Sequence, residues 1–480
     1  MNNIKTPWRR FMLGLLSAGF IALLLSCGGG GGSGSSGGLA AGGLGVGGAG
    51  TGGAAVTGTG GDAAAGTGTG ADGTGGTGGT GGTGGTGGTG GTGGTGSAGG
   101  TGGTGGGTST AGNSNTDGSG VGSGGTGVTA DAAGIGSADG LGSIILNGLR
   151  YDTDSATFSI EDASELQIGM SARVAGKVDG NFTSGIATQV QSAAELRGEA
   201  SGIDTSAGSF VVMGTVVSID SATVWGDADG LADLRAGGIV QVWGLPSAPG
   251  ALRATRIQVA PTLTAPLVTG TVQNLDTLHK TFTLGQLTID YATAAFQGMN
   301  ASSLSNGAIV RVRGTAAPAA GVLIATTIQG WYAIPVSDGI AVQLAGVITD
   351  FVSRGSFKVL GTPVDATNGQ ITGGPANSLG NGVKVEVDGF MSGGVLVVKK
   401  LRIRNVPGTG GPASFTLIGA IGAYHSAADF RVRGQPVDAS GTVDFINGTV
   451  SDLANGRRVT VVGDRVVDGV LIAQRVTFTP

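Results

Sequence analysis

The chain has 480 residues, 103 of them glycine, with 12% charged and 5% aromatic residues, 2 histidines and 1 cysteine. A disulfide framework needs paired thiols and a thiolate metal site needs several, so a lone cysteine excludes both. With 26 Lys and Arg against 31 Asp and Glu the net charge is −5, too little basic field for phosphate neutralisation, and nucleic acid is not an expected partner.

At the amino terminus Lys5, Arg9 and Arg10 precede an apolar run from Phe11 to Leu25, which ends in Leu24-Leu25-Ser26-Cys27. A basic flank, a short apolar core and a small residue before the cut make an export signal over residues 1–26. The run is shorter than the roughly 20 apolar residues of a comfortable membrane span. Its ending resembles the bacterial lipobox, which implies a thioether-linked diacylglycerol on Cys27 and an anchor in the membrane. Several acyl chains, at about 0.8 kcal/mol per buried methylene, exceed what stable anchoring requires. Gly28, where an aspartate would retain such a lipoprotein, implies the outer membrane of a Gram-negative bacterium. Arg9-Arg10 followed by Phe11-Met12-Leu13 weakly resembles a twin-arginine signal, but general export is the expected route.

Residues 27–131 form the next segment, in which roughly half the residues are glycine and Thr-Gly-Gly recurs from Thr74 to Thr104. Such a chain has almost no apolar surface to offset its ordering entropy, so a disordered tether is expected, with a reach on the order of 50 to 60 Å. The triplet also suits a glycine-rich three-fold helix, but one chain supplies none of the neighbouring strands that helix needs.

From residue 132 onward Val, Ile, Phe and charge appear, and one pattern recurs five times at spacings of about 70 residues. It is Leu-x-x-Gly-x-x-(apolar)-x-Val-x-Gly, ending at Gly176, Gly244, Gly314, Gly389 and Gly463 and starting at Leu166, Leu234, Leu304, Leu379 and Leu453. Upstream a glycine opens a strand and a second closes a turn, as in Gly198-Phe210-Gly214, Gly270-Phe282-Gly285, Gly346-Phe357-Gly361 and Gly419-Phe430-Gly434, with Gly134-Ile145-Gly148 as a degenerate first copy. Downstream a turn glycine precedes an alternating strand, as in Gly394-Leu396-Val398-Leu401. Period-2 alternation bounded by glycine marks strands, and no window carries a helical stripe.

The fold expected is therefore all-β: five tandem small barrels, OB-like or SH3-like, because short strands in so small a unit bury a face only by curling. The units are placed at 132–194, 195–262, 266–335, 342–406 and 413–480. Each buries only about 60% of its unfolded surface, so neighbours are expected to help. Short connectors with proline, Pro261 to Pro266 and Pro407 to Pro412, suggest a semi-rigid string. These repeated features resemble a bacterial family of uncharacterised β-domains that occur in tandem in envelope lipoproteins. The resemblance covers residues 132–480, is weakest in the first unit, and implies no chemistry.

The chemistry-bearing residues are few. His279 and His425 fall at non-equivalent places in their units, so they do not build a repeated nucleophile and base pair. Glu161, Asp162 and Glu165 cluster in the first unit but not in the others, which favours a solvated loop over a glycosidase pair. Asp227, Asp229, Gly230 and Asp233 resemble the first half of a calcium loop without its distant glutamate. The glycine-rich arm lacks the strand and helix of a phosphate cradle, and no catalytic, metal or cofactor site is expected.

What remains is the outward side of the repeated strand: Gln241 and Trp243, with Arg173/Ala175, Arg311/Arg313, Lys384/Glu386 and Thr460/Val462 in the other copies. Trp243, with Trp225, suits either a stacking surface for a ligand or contact with the adjacent repeat. The reading is a lipid-anchored, non-catalytic envelope protein that presents β-domains to an envelope protein or polysaccharide. A structural spacer is the alternative, and an envelope hydrolase the least favoured.

Overall fold

The computed structural model describes residues 129–259, 265–407 and 413–479. Cys27, the export signal and the glycine-rich arm up to residue 128 lie outside the described residues, as do most of both proline connectors. Every regular element is a β-strand apart from four short 3-10 turns, and no α-helix occurs among the described residues.

The second repeat shows the plan. Its first strand, Leu196–Asp204, pairs with Ser209–Val212, which pairs with Thr215–Ser218. That third strand runs parallel to the last, Ala251–Val259, which is antiparallel to Ile239–Pro246. Ile239–Pro246 returns to the first strand and closes the ring, while Val224–Trp225 lies parallel to the far half of the last strand. The same circuit recurs in the fourth repeat, the fifth and, completely, the first. In the third the last strand is split into Val322–Ile324 and Thr327–Gly330. A first strand shared between the second and the fifth, with a parallel third and last, gives the OB-like order of a small Greek-key barrel.

The sequence pattern explains this shape. Its leucine follows a 3-10 turn in repeats 2 to 5 and plugs the barrel end, buried as Leu234, Leu304, Leu379 and Leu453. The glycine three residues on has φ between +79° and +91° in all five copies, a conformation that L side chains resist. In repeats 1, 2, 4 and 5 the closing glycine lies at a register shift against the last strand: a Cβ on Gly389 would lie 2.2 Å from the Val397 carbonyl oxygen. That bulge bends the strand so that the sheet closes.

The repeats do not form a string. The first strand of repeat 1, Thr129–Leu141, pairs in parallel with the first strand of repeat 4, Ala341–Ser353, from Ala132 opposite Ala341 to Ile135 opposite Leu344. Its other end pairs with repeat 5, Gly140 opposite Thr416 and Leu141 opposite Leu417. Repeats 2 and 3 join at Leu196 opposite Val268 and share one apolar core. The serial expectation fails because nearly every residue of Thr129–Leu141 is small. A strand of Ala, Gly and Ser lets two further barrels approach it closely, and the chain doubles back on itself.

Candidate functional site: the junctions between repeats

The outward positions of the fifth strands meet other repeats rather than solvent in four of the five copies. Arg311 is only 2% exposed; it donates through Nη2 to both carboxylate oxygens of Glu195 at 3.2 Å and through Nε to the Ala194 carbonyl at 3.1 Å. Glu195, fully buried, also accepts the indole N–H of Trp331 at 3.1 Å. Burial alone would lower the Arg311 pKa, but the Glu195 charge outweighs it and holds the guanidinium protonated.

Beside this pair Asp162 sits between two guanidiniums, Arg313 at 2.8 Å and Arg197 at 2.5 Å, and Glu161 shares the Nη2 of Arg313 with Asp162, also at 2.8 Å. Burial pushes the Asp162 carboxyl up, yet the hydrogen bonds and charges of Arg313 and Arg197 hold it at about 2. Glu161 and Asp162 are thus braces between repeats 1, 2 and 3. A carboxyl held at about 2 is the opposite of the raised general acid that glycoside hydrolysis uses.

A second junction unites repeats 1, 2, 4 and 5 around a cavity of about 40 Å³ that Asp139, Asp220, Lys384, Glu386 and Arg404 line. Glu386 accepts from Arg404 Nε and Arg402 Nη1, both at 2.6 Å, and Lys384 reaches Asp220 at 3.3 Å. Asp139 lies 3.8 Å from Arg404. Its carboxyl is pushed up to about 7, by burial first and then by Glu386, against the pull of Arg404 and Lys384.

Larger clefts also open between the repeats. One, of about 310 Å³, lies between repeats 1 and 3 and is lined by Arg173, Gln189, Gln191, Gln329, Trp331 and Tyr332 among others. Clefts of about 380 and 290 Å³ share Leu141, Glu165, Leu166 and Arg433 where repeats 1 and 5 meet.

Neither tryptophan singled out in the sequence is a stacking platform. Trp243 is 0% exposed, packed with Met170, Ala194 and Leu267 where repeats 1, 2 and 3 meet, and its indole nitrogen has no hydrogen-bond partner among the described residues. Trp225 is 7% exposed within the shared core of repeats 2 and 3, and its carbonyl accepts from Gly469 of repeat 5 at 3.0 Å. Strand alternation did turn Trp243 out of its own barrel, but the adjoining repeats cover it.

His279 is exposed and pairs with Asp276 at 2.6 Å in a turn, and His425 lies exposed on another repeat. Asp227 accepts the Val259 N–H and Asp233 the Asp229 N–H, so these carboxylates cap their own backbone. No cluster of three potential metal ligands occurs among the described residues. Glu195, Arg197, Asp139 and Arg404 were not anticipated. Glu195-Leu196-Arg197, two charges flanking a strand residue at a repeat boundary, was the available signal.

The family described as Domain of unknown function (DUF5666) matches five stretches, residues 134–191, 197–258, 269–329, 345–400 and 418–477. Together they cover more than half of the chain. The chain belongs to this family. Each DUF5666 match coincides with one strand circuit, including the first, whose pattern is most degraded in sequence. No curated protein and no solved structure matches the chain.

Proposed function

We propose that this chain is a lipid-anchored cell-envelope protein whose five DUF5666 repeats act together as one non-catalytic platform for binding an envelope polysaccharide or protein. The resemblance of the stretch ending at Cys27 to a lipobox and the long glycine-rich arm support the anchor and its reach, and Gly28 supports the outer membrane. The observation that carries the platform is the pairing of Thr129–Leu141 with the first strands of both repeat 4 and repeat 5. A spacer extends by adding units end to end, whereas a chain that folds its first unit against its last two gives up length for a fixed composite surface. Varied, half-buried polar side chains around the clefts suit recognition.

Two measurements test this. Membrane fractionation of cells that express the full chain should find it with the outer membrane, and Cys27→Ala should release it. The purified full chain, immobilised, should retain an envelope polysaccharide or protein. Binding to no envelope component, or purified protein that turns over an envelope glycan, would reject the reading.

A further inference from the structure

Charged residues at the outward positions of the fifth strands of repeats 3 and 4 are neutralised in the assembly: Arg311 by Glu195, Arg313 by Asp162 and Glu161, Lys384 by Asp220, and Glu386 by Arg402 and Arg404. Arg173, the equivalent residue of repeat 1, is different. It is half-buried, donates from Nε to the Ala333 carbonyl at 3.1 Å, and makes no ion pair among the described residues. A guanidinium carries five N–H donors, so most of its capacity is unspent while burial has stripped part of its water. Burial lowers its pKa, the sign of a cation with no carboxylate beside it.

Arg173 faces the cleft of about 310 Å³ between repeats 1 and 3. Three half-buried glutamines line the same cleft. Gln189 and Gln191 lie two apart on the last strand of repeat 1, hence on one face, and Gln329 projects from the last strand of repeat 3. Among the described residues none of the three side chains makes a hydrogen bond. Trp331 and Tyr332 close the cleft, fixed by Glu195 and by the Ala193 N–H. Among the described residues of the lining the only carboxylate, Glu161, is already held by Arg313.

We infer that this cleft is a binding site for a carboxylate-bearing saccharide: Arg173 takes the carboxylate, and Gln189, Gln191 and Gln329 exchange hydrogen bonds with ring hydroxyls. The chemistry follows from the donor set. One unpaired guanidinium suits a single planar oxyanion in bidentate fashion, and amide side chains that both donate and accept match vicinal hydroxyls. The volume is at the lower end of ordinary ligand sites and suits one or two sugar rings. This inference rests on the proposed envelope-binding function and names the ligand class for one site of it.

Calorimetric titration of the purified full chain with a galacturonic acid trimer tests it, with the trimer's methyl ester and inorganic phosphate as controls. The trimer should bind, and the ester and phosphate at least tenfold more weakly. Arg173→Gln should weaken the trimer by about tenfold or more, as loss of a charged hydrogen-bond partner does. Gln191→Ala should cost a smaller factor, and both variants should keep the parental urea midpoint. Binding unchanged by Arg173→Gln, equal binding of ester and acid, phosphate binding as tightly as the trimer, or no binding of the trimer would each overturn the site. If one of these results overturned the site, retention of another envelope component by the immobilised full chain would still leave the platform reading standing.

Discussion

The Tyr151 hydroxyl of repeat 1 donates to Gln343 Oε1 of repeat 4, 192 residues away along the chain. Gln343 Nε2 in turn donates to Asp388 Oδ1 at 2.8 Å, so three buried polar groups form a relay across the parallel junction of the two barrels. Gly134 leaves the room: a Cβ there would come within 3.1 Å of the Tyr151 oxygen. Tyr151→Phe strips the acceptor of its donor without changing shape and should destabilise the protein by about 1–3 kcal/mol. Urea unfolding reads this. An unchanged midpoint would mean that the relay does not form in solution.

Asp162 is the keystone of the junction of repeats 1, 2 and 3. Asp162→Asn leaves Arg197 and Arg313 facing each other in a largely dry site, at a cost of about 3–5 kcal/mol. Glu161→Gln, at the exposed edge of the same network, should cost under about 1 kcal/mol. Chemical denaturation of both variants should therefore separate them clearly. Equal, small effects would show that water reaches Asp162 freely.

Legibility followed locality. The repeated Leu-x-x-Gly pattern was readable because each of its demands, a plug, a left-handed turn and a bulge, is met within a dozen residues. Glu195 and Arg311 were not, because they are 116 residues apart in the chain and a charge on a strand looks alike whether it meets water or a guanidinium. The first repeat looked degenerate for a related reason. Gly136 and Gly140 replace larger residues because a Cβ on either would collide with Asn147 or with the Thr416 carbonyl. Its altered composition records its place at the centre of the assembly.

The pH dependence of stability should report the junction of repeats 1, 2, 4 and 5. A carboxyl whose folded pKa exceeds its unfolded value binds more protons when folded, so its contribution is full at low pH and lost as pH rises. Asp139 is pushed up to about 7 and Asp388 to about 6, both chiefly by burial and both also by Glu386. Stability should therefore decline from about pH 4 to about pH 7, and Asp139→Asn should flatten that decline and raise the urea midpoint at alkaline pH. Asp162, held at about 2, acts in the opposite sense: its contribution is present above about pH 4 and is lost as pH falls through 2. A parent and an Asp139→Asn variant with identical slopes would place Asp139 in contact with water.

Trp243 distinguishes a structural indole from a ligand-stacking one. Because it is fully buried among Met170, Ala194 and Leu267, Trp243→Ala should cost about 3–5 kcal/mol. Trp243→Phe should cost less, since it removes an indole N–H that has no partner among the described residues and so relieves part of a desolvation penalty of about 1–3 kcal/mol. Neither change should alter saccharide affinity under conditions where the variant is folded, because the cleft of Arg173 is lined by other residues. Weakened saccharide binding by a Trp243→Phe protein of parental stability would restore the stacking role and require the three repeats to part.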